Sequence, residues 1–245
     1  MTLMIYPSYL MQIQFIFFDL FNTLVHFSPP REEIQVKACS LNGLTIELDM
    51  IKSAYVTADK LLSFENSINP LFNRSSTDKS RFWAKYQQTL LSEAGKNVTL
   101  NEAGEIFKTV RSIKQELVLY DDVIPVFDSL KQLGLNLGII SNMDQNIKSL
   151  LLKLDINQFI DVAVTSRDAG VAKPNPGIFQ YALTQASVSP AKALHIGDDL
   201  EGDVVGAINS NMKAILLDRG EREIKNLEIP VISSLEDLPG LVLNI

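Results

Sequence analysis

Five short apolar runs, each ending abruptly in polar residues, leave this chain few ways to fold. They are Ile13–Phe18 before Asp19, Leu135–Ile140 before Ser141, Val162–Val164 before Thr165, Ala193–Ile196 before Gly197 and Asp198, and Ala214–Leu217 before Asp218. Runs of this length, apolar at successive positions and rich in Ile, Val, Leu and Phe, suit strands buried on both faces. Helical patterns lie between them. Val123–Leu133 repeats apolar residues at Val123, Val126, Phe127 and Leu130, and Ile147–Leu154 does so at Ile147, Leu150, Leu151 and Leu154. Pro176–Ala186 has Asn175 as a cap and Pro176 in the first turn, where a missing N–H costs nothing. Strand and helix in alternation predict an α/β fold with a doubly wound parallel sheet.

The stretch from about His26 to about Gln115 follows another rule. Ile51, Tyr55, Ala58 and Leu62 recur at helical spacing, as do Phe82, Tyr86 and Leu90, and Ile106, Val110, Ile113 and Leu117. This predicts an all-helical insertion of several amphipathic helices, with Asn66–Lys79 as a loop inside it. The expected division is residues 1–26 and 116–245 for the sheet domain and 27–115 for the insertion. Placed directly after the first strand, the insertion is expected over the carboxyl ends of the strands, where open α/β sheets bind ligands. Trp83 and Tyr86, at helical spacing, read as its core.

A net charge of −7 argues against nucleic acid bound through a broad basic surface, because that affinity comes from Lys and Arg neutralising phosphates. A phosphate pocket needs only one or two cations. The apolar N-terminus lacks a basic flank and contains Pro7 and two glutamines, so it reads as an extension leading into a strand, not as a signal or membrane segment. The lone Cys39 fits a reducing compartment. The expected location is cytoplasmic, with no membrane partner; no pattern sets the oligomeric state.

The polar residues at the strand ends form a set. Asp19 sits in FFDLFNTL, Ser141 and Asn142 in GIISN, Lys173 in AKPNP, and Asp198, Asp199 and Asp203 in HIGDDLEGD. In a parallel sheet such positions can converge on one crevice. Clustered carboxylates repel unless a cation joins them, and hard oxygen ligands suit Mg²⁺. A lysine and a serine hydroxyl then offer charge and a donor to the oxygens of a transferring phosphoryl group. His195, inside an apolar run, reads as a core or edge residue, Asp199 as surface charge, and His26 as a residue near the site in sequence only.

In order and spacing these residues resemble the four motifs of the haloacid dehalogenase superfamily, whose helical caps often follow the first motif. The resemblance covers nearly the whole chain, with the cap matched in type alone, and implies a Rossmann-like core. It implies that Asp19 is the nucleophile forming an aspartyl-phosphate and also a magnesium ligand. Thr23, Ser141 and Asn142 would bind the nucleophile or phosphate, and Lys173 would neutralise its charge. Asp198, the main-chain carbonyl of Phe21 and Asp203 would help to hold the metal, Asp203 through water or at one remove. The implied substrate is a small phosphorylated molecule.

One position departs from the pattern. Phosphatases of this family usually carry an aspartate two residues after the nucleophile as general acid and base, and here Phe21 stands there. Positioned proton transfer typically contributes about 10²–10⁴-fold in rate, so metal binding should survive while turnover slows. Phe21 also admits a protein that binds a phosphorylated ligand with weak catalysis, and a 2-haloacid dehalogenase, which the acidic GDDLEGD segment disfavours. No G-x-G-x-x-G follows the first strand, against dinucleotide binding.

Overall fold

The structure is a computed structural model that describes residues 13–143, 146–220 and 229–244. The expected N-terminal extension lies outside the described residues. From its start the chain runs through β1 (Phe15–Phe18), β2 (Val25–Ser28), α1 (Arg31–Leu41), α2 (Leu48–Ile68), α3 (Ser76–Glu93), α4 (Leu100–Ser112) and β3 (Glu116–Leu119). It continues through α5 (Val123–Gln132), β4 (Asn136–Ser141), α6 (Ile147–Lys153), β5 (Val162–Thr165), α7 (Ser166–Ala169), α8 (Pro176–Ala186) and β6 (Ala193–Gly197). A π-helical turn over Leu200–Val205 leads into α9 (Gly206–Asn209), β7 (Lys213–Leu217), β8 (Val231–Ile232) and α10 (Leu238–Leu241). The chain forms two compact units, one of Met1–Val25 with Leu119–Ile245 and the other of His26–Val118. Among the described residues no helix is long and apolar enough to cross a membrane.

The first unit holds a six-stranded sheet in the order β5-β4-β1-β6-β7-β8, and every adjacent pair is parallel. The doubly wound architecture expected from the apolar runs is therefore present. β1 is central and wholly buried, which explains why all four of its residues are apolar. Phe15 and Phe17 stack at 4.4 Å on one face, and Phe18 meets Phe127 of α5 at 5.2 Å on the other. Gly138 of β4 makes room for the stacked pair, since a Cβ there would lie 2.7 Å from the Phe17 ring. After β1 the connections leave toward β4 on one side and β6 on the other. The carboxyl end of β1 is thus the topological switch point, the place where sheets of this kind bind ligands.

The second unit is helical, closed by Ile51, Ala58, Leu90, Leu91 and Ile106, with Trp83 stacked on Phe107 at 5.1 Å. Two local expectations need correction. The loop predicted over Asn66–Lys79 is shorter, because α2 runs to Ile68 and α3 begins at Ser76. Ser75 caps α3 by accepting a hydrogen bond from the Asp78 N–H, so the polar cluster there starts a helix. Leu117 does not extend α4, which stops at Ser112; it lies in β3, which pairs with β2 in a separate two-stranded ribbon.

In the sheet unit, Asp122 collects four donors. Arg219 grips it with Nη1 at 2.9 Å and Nη2 at 3.0 Å, and Ser234 Oγ and the Leu235 N–H each donate at 3.0 Å. Arg219 also donates to the Thr23 carbonyl at 2.8 Å and lies over the Tyr120 ring. Burial works to raise the Asp122 carboxyl, but the donors outweigh it and hold it below the ordinary 3.8. A group depressed in the folded state stabilises fully above its unfolded value and loses that stabilisation as pH falls through the folded one. Asp122→Asn is accordingly expected to lower the melting temperature at neutral pH, with the gap to wild type narrowing below about pH 4. A gap unchanged by acid in thermal melts would contradict this.

Candidate active site

Asp19 follows β1 at the switch point. Its main-chain N–H still donates to the Ile196 carbonyl of β6 at 2.8 Å, so the strand ladder fixes where the carboxylate begins. The chain then turns tightly: Leu24 and Val25 both donate to the Leu20 carbonyl at 2.9 Å, and Phe21 bridges to Val25. Asn22 takes the left-handed conformation at φ 58°, a region that Asn enters more readily than most residues. Its side-chain amide lies 3.4 Å from Asp198 Oδ2.

Lys173 reaches the site from the loop between α7 and α8. Its main chain is held on both sides by Asn142, whose Oδ1 accepts from the Lys173 N–H at 2.7 Å and whose Nδ2 donates to the Lys173 carbonyl at 3.0 Å. The ammonium is buried and donates to Asp19 Oδ1 and to Asp203 Oδ1, both at 2.5 Å. Asp203 lies on the π-helical turn after β6, where the Asp199 N–H donates to its Oδ2 at 3.1 Å and His195 Nε2 lies 2.8 Å from its Oδ1. Asp19, Asp198 and Asp203 offer oxygens that all lie within 4.8 Å of one another. Ser141 Oγ and Thr23 Oγ1 are buried with no hydrogen-bond partner among the described residues. A buried hydroxyl without a partner costs free energy, so both oxygens are suited to an incoming polar group.

The electrostatics follow from this packing. Burial raises the Asp19 carboxyl, against the pull of Lys173, and the nearby Asp203 charge raises it further. Asp203 is also pushed up by burial, but Lys173 and the bond from His195 outweigh that and hold it below the usual range. Lys173 keeps its charge in spite of burial because two carboxylates face it. Three carboxylates close enough to repel one another, two of them buried and both of those bonded to Lys173, form a hard-oxygen donor set that fits Mg²⁺.

The structure brings Asp19, Lys173, Asp198 and Asp203 together, as the strand-end pattern suggests. Asn142 lies beside them with its amide occupied by the Lys173 main chain. Asp199 caps the π-helical turn by accepting from the Glu201 N–H. His26 belongs to the helical unit, its Nδ1 3.2 Å from the Phe27 carbonyl oxygen. Two neighbours of the site escaped sequence reasoning. One is the contact of His195 with Asp203. The other is Gly197, where a Cβ would lie 2.2 Å from the Asp203 carboxyl group. Gly197→Ala should therefore displace Asp203, weaken magnesium binding by calorimetry, and cost about 1–3 kcal/mol of stability through overpacking. Unchanged metal affinity would show that Asp203 tolerates the intrusion.

Comparison with known proteins bears on this arrangement. The chain is 27% identical over 210 residues to haloacid dehalogenase-like hydrolase domain-containing protein 3 of Xenopus laevis, covering 84% of this chain and 85% of that one. It is 24% identical over 250 residues to the N-acylneuraminate-9-phosphatase of Homo sapiens, covering 96% of each. In fold it resembles the hydrolase-family protein YfnB of Bacillus subtilis, solved with magnesium bound, with a TM-score of 0.68 at 20% identity over 96% of this chain and all of that one. The haloacid dehalogenase-like hydrolase family itself matches residues 13–211, and on that extent of agreement the chain belongs to it.

Proposed function

We propose that this hydrolase is a magnesium-dependent phosphoric-monoester hydrolase acting on a small phosphorylated molecule. The observation that carries the reading is the Lys173 ammonium shared between Asp19 and Asp203 at the switch point, beside a third carboxylate. The phosphatase name of the human relative supports it. In this scheme Asp19 attacks phosphorus through one carboxylate oxygen, the ester alcohol leaves, and water then hydrolyses the aspartyl-phosphate. Lys173 sits where it can neutralise charge on the transferring group. The unpartnered hydroxyls of Ser141 and Thr23 offer donors to the phosphoryl oxygens. Asn142 serves by holding the Lys173 main chain.

Asp19, Asp198, Asp203 and the main-chain carbonyl of Phe21 are the groups that would hold magnesium. The ion would supply positive charge at the phosphoryl oxygens and favour the ionised form of Asp19. Phe21 supports a second reading, a protein that binds a phosphorylated ligand and turns it over weakly, because a phenyl ring cannot pass a proton to the leaving group.

Hydrolysis of an aryl phosphate by the purified protein, with Mg²⁺ and with EDTA, separates the two. Turnover that requires Mg²⁺ and disappears in Asp19→Asn is the expected result. No turnover, with magnesium binding intact by calorimetry, would favour the binding protein. Activity on 2-haloacids that persists in EDTA would overturn both.

A further inference from the structure

We infer that His195 is a positioning residue, whose Nε2–H holds Asp203 in the orientation that keeps Lys173 on Asp19. The inference rests on the hydrolase reading for its chemical consequence and on geometry for the rest. His195 lies in β6, in register with Phe17 of the central strand, and its side chain is fully buried. The surrounding run is apolar, so an imidazole there loses its hydration and recovers little unless a bond is made. One is made, to Asp203 Oδ1 at 2.8 Å.

The protonation of the ring follows from its partners. Both oxygens of Asp203 accept, Oδ1 from Lys173 Nζ and Oδ2 from the Asp199 N–H, the pattern of an ionised carboxylate that is acceptor only. The His195 nitrogen facing it must then carry hydrogen. Nδ1 is buried and has no partner among the described residues; a proton there would leave a donor unsatisfied in the core. The residue is thus a neutral imidazole protonated on Nε2, and the edge-on contact with Phe179 at 5.3 Å and 85° fixes the plane of its ring.

Asp203 needs this support. It sits on a short π-helical turn, and among the described residues its Oδ2 is held by one N–H, that of Asp199. Lys173 has its main chain pinned by Asn142, but four flexible carbons separate that anchor from the ammonium. The carboxylate it finds at the far end decides where the charge rests. His195, Asp203, Lys173 and Asp19 therefore form one line of contacts, each 2.5–2.8 Å long, from the middle of the sheet to the nucleophile. Among the described residues the hydrogen bond of His195 goes to Asp203, so it acts on Lys173 and Asp19 through that carboxylate.

The test uses the full chain, His195→Leu to remove the donor at similar bulk, and His195→Gln to restore an N–H near the place of Nε2. The chain has two histidines, so ¹⁵N-histidine NMR resolves the ring directly. At neutral pH the wild-type protein should show the neutral Nε2–H tautomer for His195. With Mg²⁺ and an aryl phosphate, His195→Leu should lose about 10–100-fold in kcat with KM nearly unchanged. His195→Gln should recover most of that loss. A Nδ1–H tautomer or an imidazolium would overturn the inference, as would undiminished kcat in His195→Leu or a folded His195→Gln no better than His195→Leu. If His195→Leu fails to fold, near-normal kcat in His195→Gln supports the inference and a loss as large as that expected for His195→Leu overturns it. If the wild-type protein itself does not turn over, the hydrolase reading falls, and the tautomer alone decides what His195 does.

Discussion

Phe21→Asp is expected to raise magnesium-dependent turnover of an aryl phosphate by about 10²–10⁴-fold, the usual worth of a positioned proton donor. The remaining parts of the site are in place around that position. Asp19, Lys173, Asp198 and Asp203 are already assembled, and Phe21 sits on a turn whose hydrogen bonds run through Leu20, Asn22 and Val25 main-chain atoms. Exchanging its side chain should leave that turn intact. Steady-state kinetics of the purified variant, beside Asp19→Asn in the same background, measure the gain. A variant that binds magnesium yet gains nothing would mean that something other than the missing acid limits the protein.

The opposite change at the centre of the site should be as large in the other direction. Lys173→Met is expected to lower kcat by about 10²–10³-fold, the typical cost of removing one donor aimed at developing charge. It should also affect folding. Without the ammonium, Asp19 and Asp203 face each other in the core as like charges, and breaking a buried ion pair by removing one partner costs about 3–5 kcal/mol. Part of that cost is recoverable, because the Asp19 carboxyl, already raised to about 7 by burial, can take up a proton. Denaturant unfolding without metal should therefore show Lys173→Met recovering stability as pH falls from 8 through the neutral range, where Asp19 takes up its proton. A variant as stable as wild type at pH 8 would contradict this account of the charge balance.

Much of the sheet unit was legible because buried parallel strands leave a plain mark. The FIFF run before Asp19 and the apolar runs before Ser141, Thr165, Gly197 and Asp218 all fall on strands, with ends shifted by one or two residues. The shifts arise at edges: Ile13 and Gln14 belong to the first run but precede the strand, although Gln14 still shares the ladder through its bonds to Lys192 and Asn136. The β2–β3 ribbon left no such mark. Val25–Ser28 and Glu116–Leu119 are mostly half-buried, and neither is an unbroken apolar run. The start of α3 was hidden for another reason, since Ser and Asp suit a loop and a helix cap equally well until the backbone chooses.

In the site, the convergence of Asp19 and Asp198 at strand ends and of Lys173 from its loop could be foreseen from the sequence pattern. Residues that act through a contact could not. The bond from His195 to Asp203 depends on a π-helical turn bringing a residue eight places later back against the strand. Gly197 gave no sign of its purpose, because the space it leaves is visible only once Asp203 occupies it.

The central place of β1 also governs how the molecule can be made. Its two ladder partners, β4 and β6, are both synthesised long after it, beyond the whole helical unit. Until they leave the ribosome, a strand of three phenylalanines and an isoleucine has both edges open, the kind of segment that pairs with other chains when it lingers. The helical unit is contiguous and closes mainly local contacts, so it can fold during that interval, whereas the sheet must wait for distant pairings that form slowly. Asp19 thus emerges well before the lysine that faces it. An incomplete chain carries the nucleophile but no site, and recovery of active protein should depend more on synthesis rate and temperature than on the stability of the finished fold.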